Sequence, residues 1–287
     1  MRLRILLPLL VAPSAFAAED RKVDPTWLYR RVADVQPQPS DFTTPSCRYK
    51  PLFGAGDRDS RIVRGVARFG EMTVEAGGSS AIVNYPAEEQ VYVILEGSGT
   101  VHYEGRKVPV KKSDYVYFAP AIAHGLSASP GGACRAVVMG FRIPQGTQTT
   151  PPAAVPIANM EDVKKEVVGS HPPTTLYQLL MGDVNSKRDR LAVARVLTSL
   201  FTMEFAPTGT NFPHHHDREE EIYLVLEGYG DMVAGGGMDG VEGRHPARAG
   251  DAYFFRLNCT VGFYAGNKPG EPKARILAVR SLYPRMR

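Results

Sequence analysis

Residues 211–228 read NFPHHHDREEEIYLVLEG, and their spacing decides how the rest of the chain is read. His214 and His216 stand two residues apart, so in an extended segment both imidazoles leave the same face and His215 leaves the other. Glu221 follows at the head of the apolar run 222–226, which has strand composition and ends in the turn Glu227-Gly228. Two imidazoles and a carboxylate at the mouth of a strand pair make a facial set suited to a divalent metal with open positions. We therefore expect metal ligands at His214, His216 and Glu221. Glu219 and Glu220 directly precede Glu221, which leaves a one-residue shift of the carboxylate ligand open. Strand alternation favours Glu221 and turns Glu220 away from the pocket.

The strand after the histidines has a counterpart earlier in the chain. VYVILEGSG (91–99) matches IYLVLEGYG (222–230), and KKSDYVYFAP (111–120) matches ARAGDAYFFRL (247–257). A repeat on the scale of a domain means two copies of one architecture. Residues 62–141 break into short β-type runs separated by Gly, Pro, Ser and Asp turns, the pattern of a sandwich or barrel. The expected fold is all-β: a first barrel over 62–143, a linker over 144–189 and a second barrel over 190–287. Within the linker, 144–156 is rich in Pro, Thr and Ala, Asn159 is placed to cap a short helix over 160–168, and 176–181 reads as a second helical piece. The second copy carries an insert at 234–244 that reads as a rim loop.

Before the first barrel, Arg2, Arg4, a short apolar run at 5–12 and Ala15-Phe16-Ala17 form a signal-peptide pattern over 1–17. The run is too short to span a bilayer. A periplasmic or secreted protein is expected. Residues 18–61 read as an arm: Asp24-Pro25 opens a short helix over 25–33, the sole tryptophan, Trp27, packs it onto the body, and 35–61 wraps the barrel. The apolar fraction is 43%, the formal net charge +4, and the basic residues are scattered. No nucleic-acid partner and no membrane span is expected; a small-molecule ligand or substrate is, and a homo-oligomer is left open. Cys47, Cys134 and Cys259 allow at most one internal disulfide, with Cys47–Cys134 the expected pair and three buried thiols the alternative.

The histidine segment resembles the first motif of the cupin superfamily: His-x-His, three or four residues, Glu, six residues, Gly. His214, His216, Glu221 and Gly228 match it throughout. The superfamily's second motif runs Gly, five residues, Pro-x-Gly, two residues, His. The first copy offers Ser113-Asp114, Pro120 and His124; the second offers Gly250-Asp251, then Leu257 for the proline and Val261 for the histidine. Aligned on Gly97 and Gly228, the first copy has Val83, Tyr85 and Gln90 where His214, His216 and Glu221 stand. The resemblance covers 62–283 and implies a bicupin, two tandem jelly-roll barrels with a short helical linker. It further implies a first barrel without metal, in which His124 is a satisfied barrel histidine, and a second barrel holding one divalent ion. Fe(II) suits the three-ligand set, with Mn(II) and Zn(II) open. Val261 leaves the fourth position to water or substrate unless Asn258, Cys259 or Tyr264 replaces it.

Bicupins include oxalate decarboxylases, ring-cleaving dioxygenases, ureidoglycine aminohydrolase and sugar-phosphate enzymes. An empty first barrel beside a metal-bearing second is most similar to ureidoglycine aminohydrolase, but that family's ligands, Glu-x-His then His with Gln at the place of Val261, are not those of this chain. The resemblance thus implies a metal-dependent enzyme, a dioxygenase, lyase or hydrolase, acting on a small polar or carboxylated molecule. The alternative is a non-catalytic binder of a small ligand such as a sugar or organic acid. A purely structural metal is disfavoured, since closed structural sites use four protein ligands. Glu220, Tyr223, Arg256 and Val261 are the candidate substrate contacts, and no general base, nucleophile or phosphate loop stands out. Glu88 and Glu89 read as solvent-facing loop residues, His215 as an outer-face residue and His245 as a surface histidine in a turn.

Overall fold

Runs of Val, Ile, Tyr and Phe fold as strands, some alternating in exposure and others buried along nearly their whole length. The computed structural model describes residues 24–147, 149–236 and 242–284. The signal-peptide reading of 1–17 and the tip of the insert, 237–241, lie outside the described residues.

In chain order the strands are β1 (Trp27–Arg31), β2 (Cys47–Gly54), β3 (Val66–Val74), β4 (Glu88–Glu96), β5 (Ser98–Tyr103), β6 (Arg106–Lys111), β7 (Asp114–Phe118), β8 (His124–Ala128), β9 (Cys134–Arg142) and β10 (Ile157–Asn159). Then follow β11 (Thr175–Asp183), β12 (Leu191–Ala194), β13 (Leu197–Phe205), β14 (Glu219–Glu227), β15 (Tyr229–Gly235), β16 (Glu242–Arg248), β17 (Asp251–Phe255), β18 (Thr260–Ala265) and β19 (Arg275–Leu282). One large sheet has the order β10-β7-β4-β9-β3-β2 and is closed into a barrel by β6-β5-β8. The other has the order β1-β17-β14-β19-β13-β11-β12 and is closed by β16-β15-β18. The two orders correspond strand for strand, with β12 an addition. Two jelly-roll barrels follow from the repeat, as the sequence implies.

Their edge strands are exchanged. β1, from the N-terminal arm, pairs with β17 of the second barrel, Trp27 opposite Phe255. β10, from the linker, pairs with β7 of the first, Ile157 opposite Val116. The helix expected over 25–33 is therefore a strand. A helix this short is marginal alone, whereas the free edge of β17 offers a full set of backbone partners. Arg30 of that strand is buried and pairs with Asp57 (2.9 Å) and Asp59 (2.6 Å) of the first barrel. Trp27 packs against His245, ring centroids 4.4 Å apart and tilted by 43°, so His245 holds the arm from within β16 and is not a surface turn residue.

The linker helices are corrected likewise. Asn159 does cap, accepting from the Glu161 amide at 2.9 Å, but what it caps is a single 3-10 turn, Met160–Asp162. Residues 176–181 lie in β11, drawn into the sheet by pairing with β13. β2 likewise belongs to the first barrel's sheet although it precedes residue 62. The expected Cys47–Cys134 bridge does not form: both cysteines stand opposite Val74, from β2 and from β9, with β3 between them. Two strand spacings, roughly 9.5 Å, exceed the Cα separation that a disulfide spans. Burial pushes the Cys47 and Cys134 thiols up to about 11.

The large sheets pack face to face, with Ile222, Leu224, Phe254, Leu277 and Val279 of the second barrel in one core with the first. Tyr223, Val225, Phe255 and Ile276 point instead into the second barrel's own interior. β14 is thus buried on both faces, which explains its unbroken apolar run. At the rim of the interface stand two carboxylates that the sequence places on loops or in the site. Glu89 accepts from the amides of Arg195 (2.7 Å), Val196 (2.9 Å) and Leu197 (2.6 Å) and from the Tyr117 hydroxyl (2.9 Å). Glu220 accepts from the amides of Arg64 (2.9 Å), Gly65 (2.6 Å) and Val66 (3.3 Å). Both are 0% exposed, and each receives the chain just as it enters the other barrel's sheet. Gly65 is required there, because an added Cβ meets the Leu282 carbonyl oxygen at 2.8 Å and a Glu220 oxygen at 3.1 Å. Glu89 is therefore an interface residue and not solvent-facing, while Glu88 is tied to Arg68 at 3.2 Å.

Removing a Glu220 acceptor strands buried amides at about 1–3 kcal/mol each. Glu220→Ala is expected to lower unfolding stability in urea by about 3–5 kcal/mol, and Glu220→Gln, which keeps one acceptor oxygen, by less.

Candidate metal centre

The strand phase set by Glu220 puts its two neighbours on the opposite face of β14. Glu221 is 2% exposed and points into the second barrel; Glu219 stands at the barrel mouth. The loop before β14 brings the imidazoles to it. His214 pairs through its backbone with Val261, N–H to carbonyl at 2.9 and 2.8 Å, and its Nδ1–H donates to the Phe212 carbonyl at 2.8 Å. That bond leaves Nε2 as the free donor atom. The His214 and His216 rings lie 5.0 Å apart at 85°. One donor atom from each of His214, His216 and Glu221 falls within 4.8 Å of the others, and this is the one such group of His, Cys, Asp or Glu among the described residues.

A divalent metal fits this set. His216 Nε2 and Glu221 Oε2 face each other at 3.2 Å, yet both are buried atoms without a hydrogen bond. A cation between them supplies the missing partner to each, and buried polar atoms normally have one. Burial raises the Glu221 carboxyl, but His216, Arg280 and His214 more than offset it and hold it below the usual carboxylate range. Burial lowers His214, favouring the neutral ring that ligation needs.

Above the set lies a cavity of about 90 Å³, lined among others by His171, Tyr177, Arg188, Phe201, Tyr223 and Arg280. Of the substrate contacts expected from sequence, Tyr223 is there. Its hydroxyl accepts from Asn211 Nδ2 at 3.0 Å, and burial together with the Glu221 charge keeps it a phenol. Glu220 is not in the cavity but in the barrel interface. Arg256 is not there either: it lies outside, its guanidinium on the Pro25 carbonyl at 3.3 Å, because the strand has ended and turned toward the arm. Val261 stands directly across from His214, so its side chain leaves the same face, buried beside the set without lining the cavity. Cys259 donates to the Gly235 carbonyl at 3.4 Å, and the Tyr264 ring packs under Arg244 at 3.8 Å, so neither replaces the fourth ligand. His215 is exposed.

The cavity arginine escaped the sequence reading. Arg280 is opposite Glu221 in the β14–β19 register, with Nη1 3.3 Å from Glu219 and Nε 4.0 Å from Glu221. Its signal is a cross-strand pairing some sixty positions away, which local spacing does not carry. The first barrel places a guanidinium in the matching region from the neighbouring strand. There Arg68 on β3 is paired with Gly140 on β9, where the second barrel has Ser199 paired with Arg280. Arg68 reaches Glu88 as Arg280 reaches Glu219.

The first barrel also has the reciprocal ligand pattern. Val83 pairs with His124 as His214 pairs with Val261. The His124 Nδ1–H donates to the Ile122 carbonyl at 2.8 Å, and its ring stacks on Phe118 at 4.2 Å. His124 Nε2 has no partner, nor do Gln90 Oε1 and the hydroxyls of Tyr49, Tyr92 and Tyr103, so the histidine is buried but not fully satisfied. Burial lowers His124 to about 4.

Comparison with known proteins places this architecture. Residues 70–140, in the first barrel, match the family model of the cupin domain. No curated protein matches the chain by sequence. Among solved structures, the chain is similar to YlbA from E. coli, with TM-score 0.68, 13% identity, and 94% of this chain and 97% of that one covered. It is similar to a putative glyoxylate-induced protein from Pseudomonas aeruginosa, with TM-score 0.69, 16% identity and 94% of each chain covered. It is also similar to oxalate decarboxylase from Lactobacillus farciminis, solved as a formate complex, with TM-score 0.64, 14% identity, and 91% and 87% covered. At these identities the likeness is one of fold.

The His124 ring is expected to make stability pH-dependent. Its proton affinity is depressed on folding, so the stability it contributes is complete above its ordinary value of 6.5 and is lost as pH falls toward about 4. Over that window wild type should lose about 3 kcal/mol through this group. Urea unfolding at pH 7 and pH 4.5 should show a shallower loss in His124→Leu than in wild type.

Proposed function

With a cupin match in the first barrel and a bicupin fold throughout, we propose that the second barrel holds one divalent metal and works on a small carboxylated molecule as a metal-dependent enzyme. The observation that carries this reading is Arg280: a guanidinium on the cavity wall beside the ligand set, its Nε a buried donor without a hydrogen bond. A guanidinium beside three ligands with open metal positions suits a ligand that offers a carboxylate. The formate in the similar oxalate decarboxylase structure is a ligand of the same class. A cavity of about 90 Å³ restricts the ligand to a few heavy atoms.

His214, His216 and Glu221 would hold the metal, which when bound supplies Lewis acidity toward an oxygen ligand. A two-nitrogen, one-oxygen set accepts Fe, Mn or Zn. Glu219 orients Arg280 and lies 3.6 Å from His216 Nδ1, so it fixes both the cation and a ligand ring. Tyr223, tied to Asn211, offers a phenol at the cavity wall, and Tyr177, Phe201 and Leu179 make the wall apolar. A dioxygenase, a lyase and a hydrolase all fit this arrangement. The second reading is capture of a small organic acid without turnover, since the cavity hydroxyl of Ser199 is hydrogen-bonded to no base that would activate it as a nucleophile. In either reading we place the protein in the periplasm or outside the cell, after cleavage behind Ala17.

Elemental analysis is expected to give one metal per chain in wild type and none in His214→Ala; two metals per chain would overturn the assignment. Arg280→Ala should weaken binding or lower kcat/KM for small carboxylic acids by roughly 10- to 100-fold, matching the loss of a charge-assisted contact. Val261→His, placed across from His214, should lower activity by crowding the position that a substrate uses.

A further inference from the structure

The second barrel has a third histidine at its metal set, and it comes from a part of the chain outside the motif. His171 lies in the segment before β11 and lines the same cavity as His214, His216 and Glu221. Its ring is 5.4 Å from that of His214, at 65°, nearly the 5.0 Å that separates His214 from His216. Its Nδ1–H donates to the Asn211 carbonyl at 2.6 Å. His214 is held the same way by the Phe212 carbonyl. Metal-bound histidines are typically oriented by such a bond through the other ring nitrogen. Asn211 is itself fixed: it is 1% exposed, donates to the Tyr223 hydroxyl and accepts from the Phe263 amide at 2.9 Å. The anchor that holds His171 is therefore part of the barrel wall. Meanwhile Val261 offers no donor.

We infer that His171, through Nε2, is the fourth protein ligand of the metal in the second barrel, in place of the one that Val261 cannot supply. This rests on the metal reading proposed above. His171 lies outside the group of donor atoms within 4.8 Å, so ligation moves its ring inward. The backbone leading to it is lightly held: the His171 amide makes one bond, to the Val168 carbonyl at 3.2 Å.

The test uses Co(II) with the full chain, read by chelator competition and by the visible absorption of the bound ion, which reports coordination number without activity. His171→Ala should weaken Co(II) binding by on the order of 100-fold and shift the spectrum toward higher, water-rich coordination. His171→Asn, which can keep the bond to Asn211 but has no second ring nitrogen, should do the same. Adding Val261→His to His171→Ala should restore affinity. Unchanged affinity and spectrum in both His171 variants, with binding abolished in His214→Ala, would overturn the assignment and leave the three-ligand site standing. A wild-type chain that binds no Co(II) would overturn the metal reading itself, and this inference with it.

Discussion

Two buried carboxylates, Glu89 and Glu220, hold the two barrels in register, and the rest of the architecture is phased from them. Each accepts three consecutive backbone amides from the other barrel, at the point where that chain enters its sheet. A single carboxylate turned inward at the head of a strand dictates where every later side chain on that strand goes, since alternation has no slack. On β14 it sends Ile222 and Leu224 to the barrel interface and Glu221 and Tyr223 to the cavity. On β4 it places Gln90 and Tyr92 inside the first barrel in the same way. The exchanged edge strands, β1 and β10, add to this coupling.

From that common frame the two barrels diverge by trading positions. The first keeps a histidine on the strand facing Val83, and the second keeps one on the loop facing Val261. The first carries its arginine on β3 against a glycine, and the second carries it on β19 against a serine. Each trade preserves room for one large side chain per cross-strand pair. An added Cβ at Gly140 meets Gln90 Nε2 at 2.4 Å and Arg68 Cγ at 2.8 Å, so a second large side chain does not fit there. The first barrel has become an aromatic interior around a neutral histidine. The second keeps its cavity, lined by Arg280 and the candidate ligands. The match to the cupin family and the metal-ligating pattern thus come from different halves of the chain.

The repeat, the all-β class and the facing trio His214, His216 and Glu221 are legible in the order of amino acids, because each is written in local spacing: period two along a strand, and one strand run that recurs. The resemblance to the second family motif put Val261 at the fourth ligand position, and the fold adds its backbone pairing with His214. The rest depends on contacts between segments far apart in the chain. Residues 25–33 and 176–181 carry helix-compatible signals, but free sheet edges recruit them as strands, and pairing energy outweighs weak local propensity. Alternation turns Glu220 away from the pocket, but that it binds the amides of Arg64, Gly65 and Val66 in the neighbouring barrel, and no substrate, is visible only in the fold. Arg280 and His171 reach the cavity from strands and turns distant in sequence, so no spacing rule announces them. Cys47 and Cys134 look like a pair until β3 is seen to run between them. Local geometry fixes what a strand presents; only the register between strands fixes to whom.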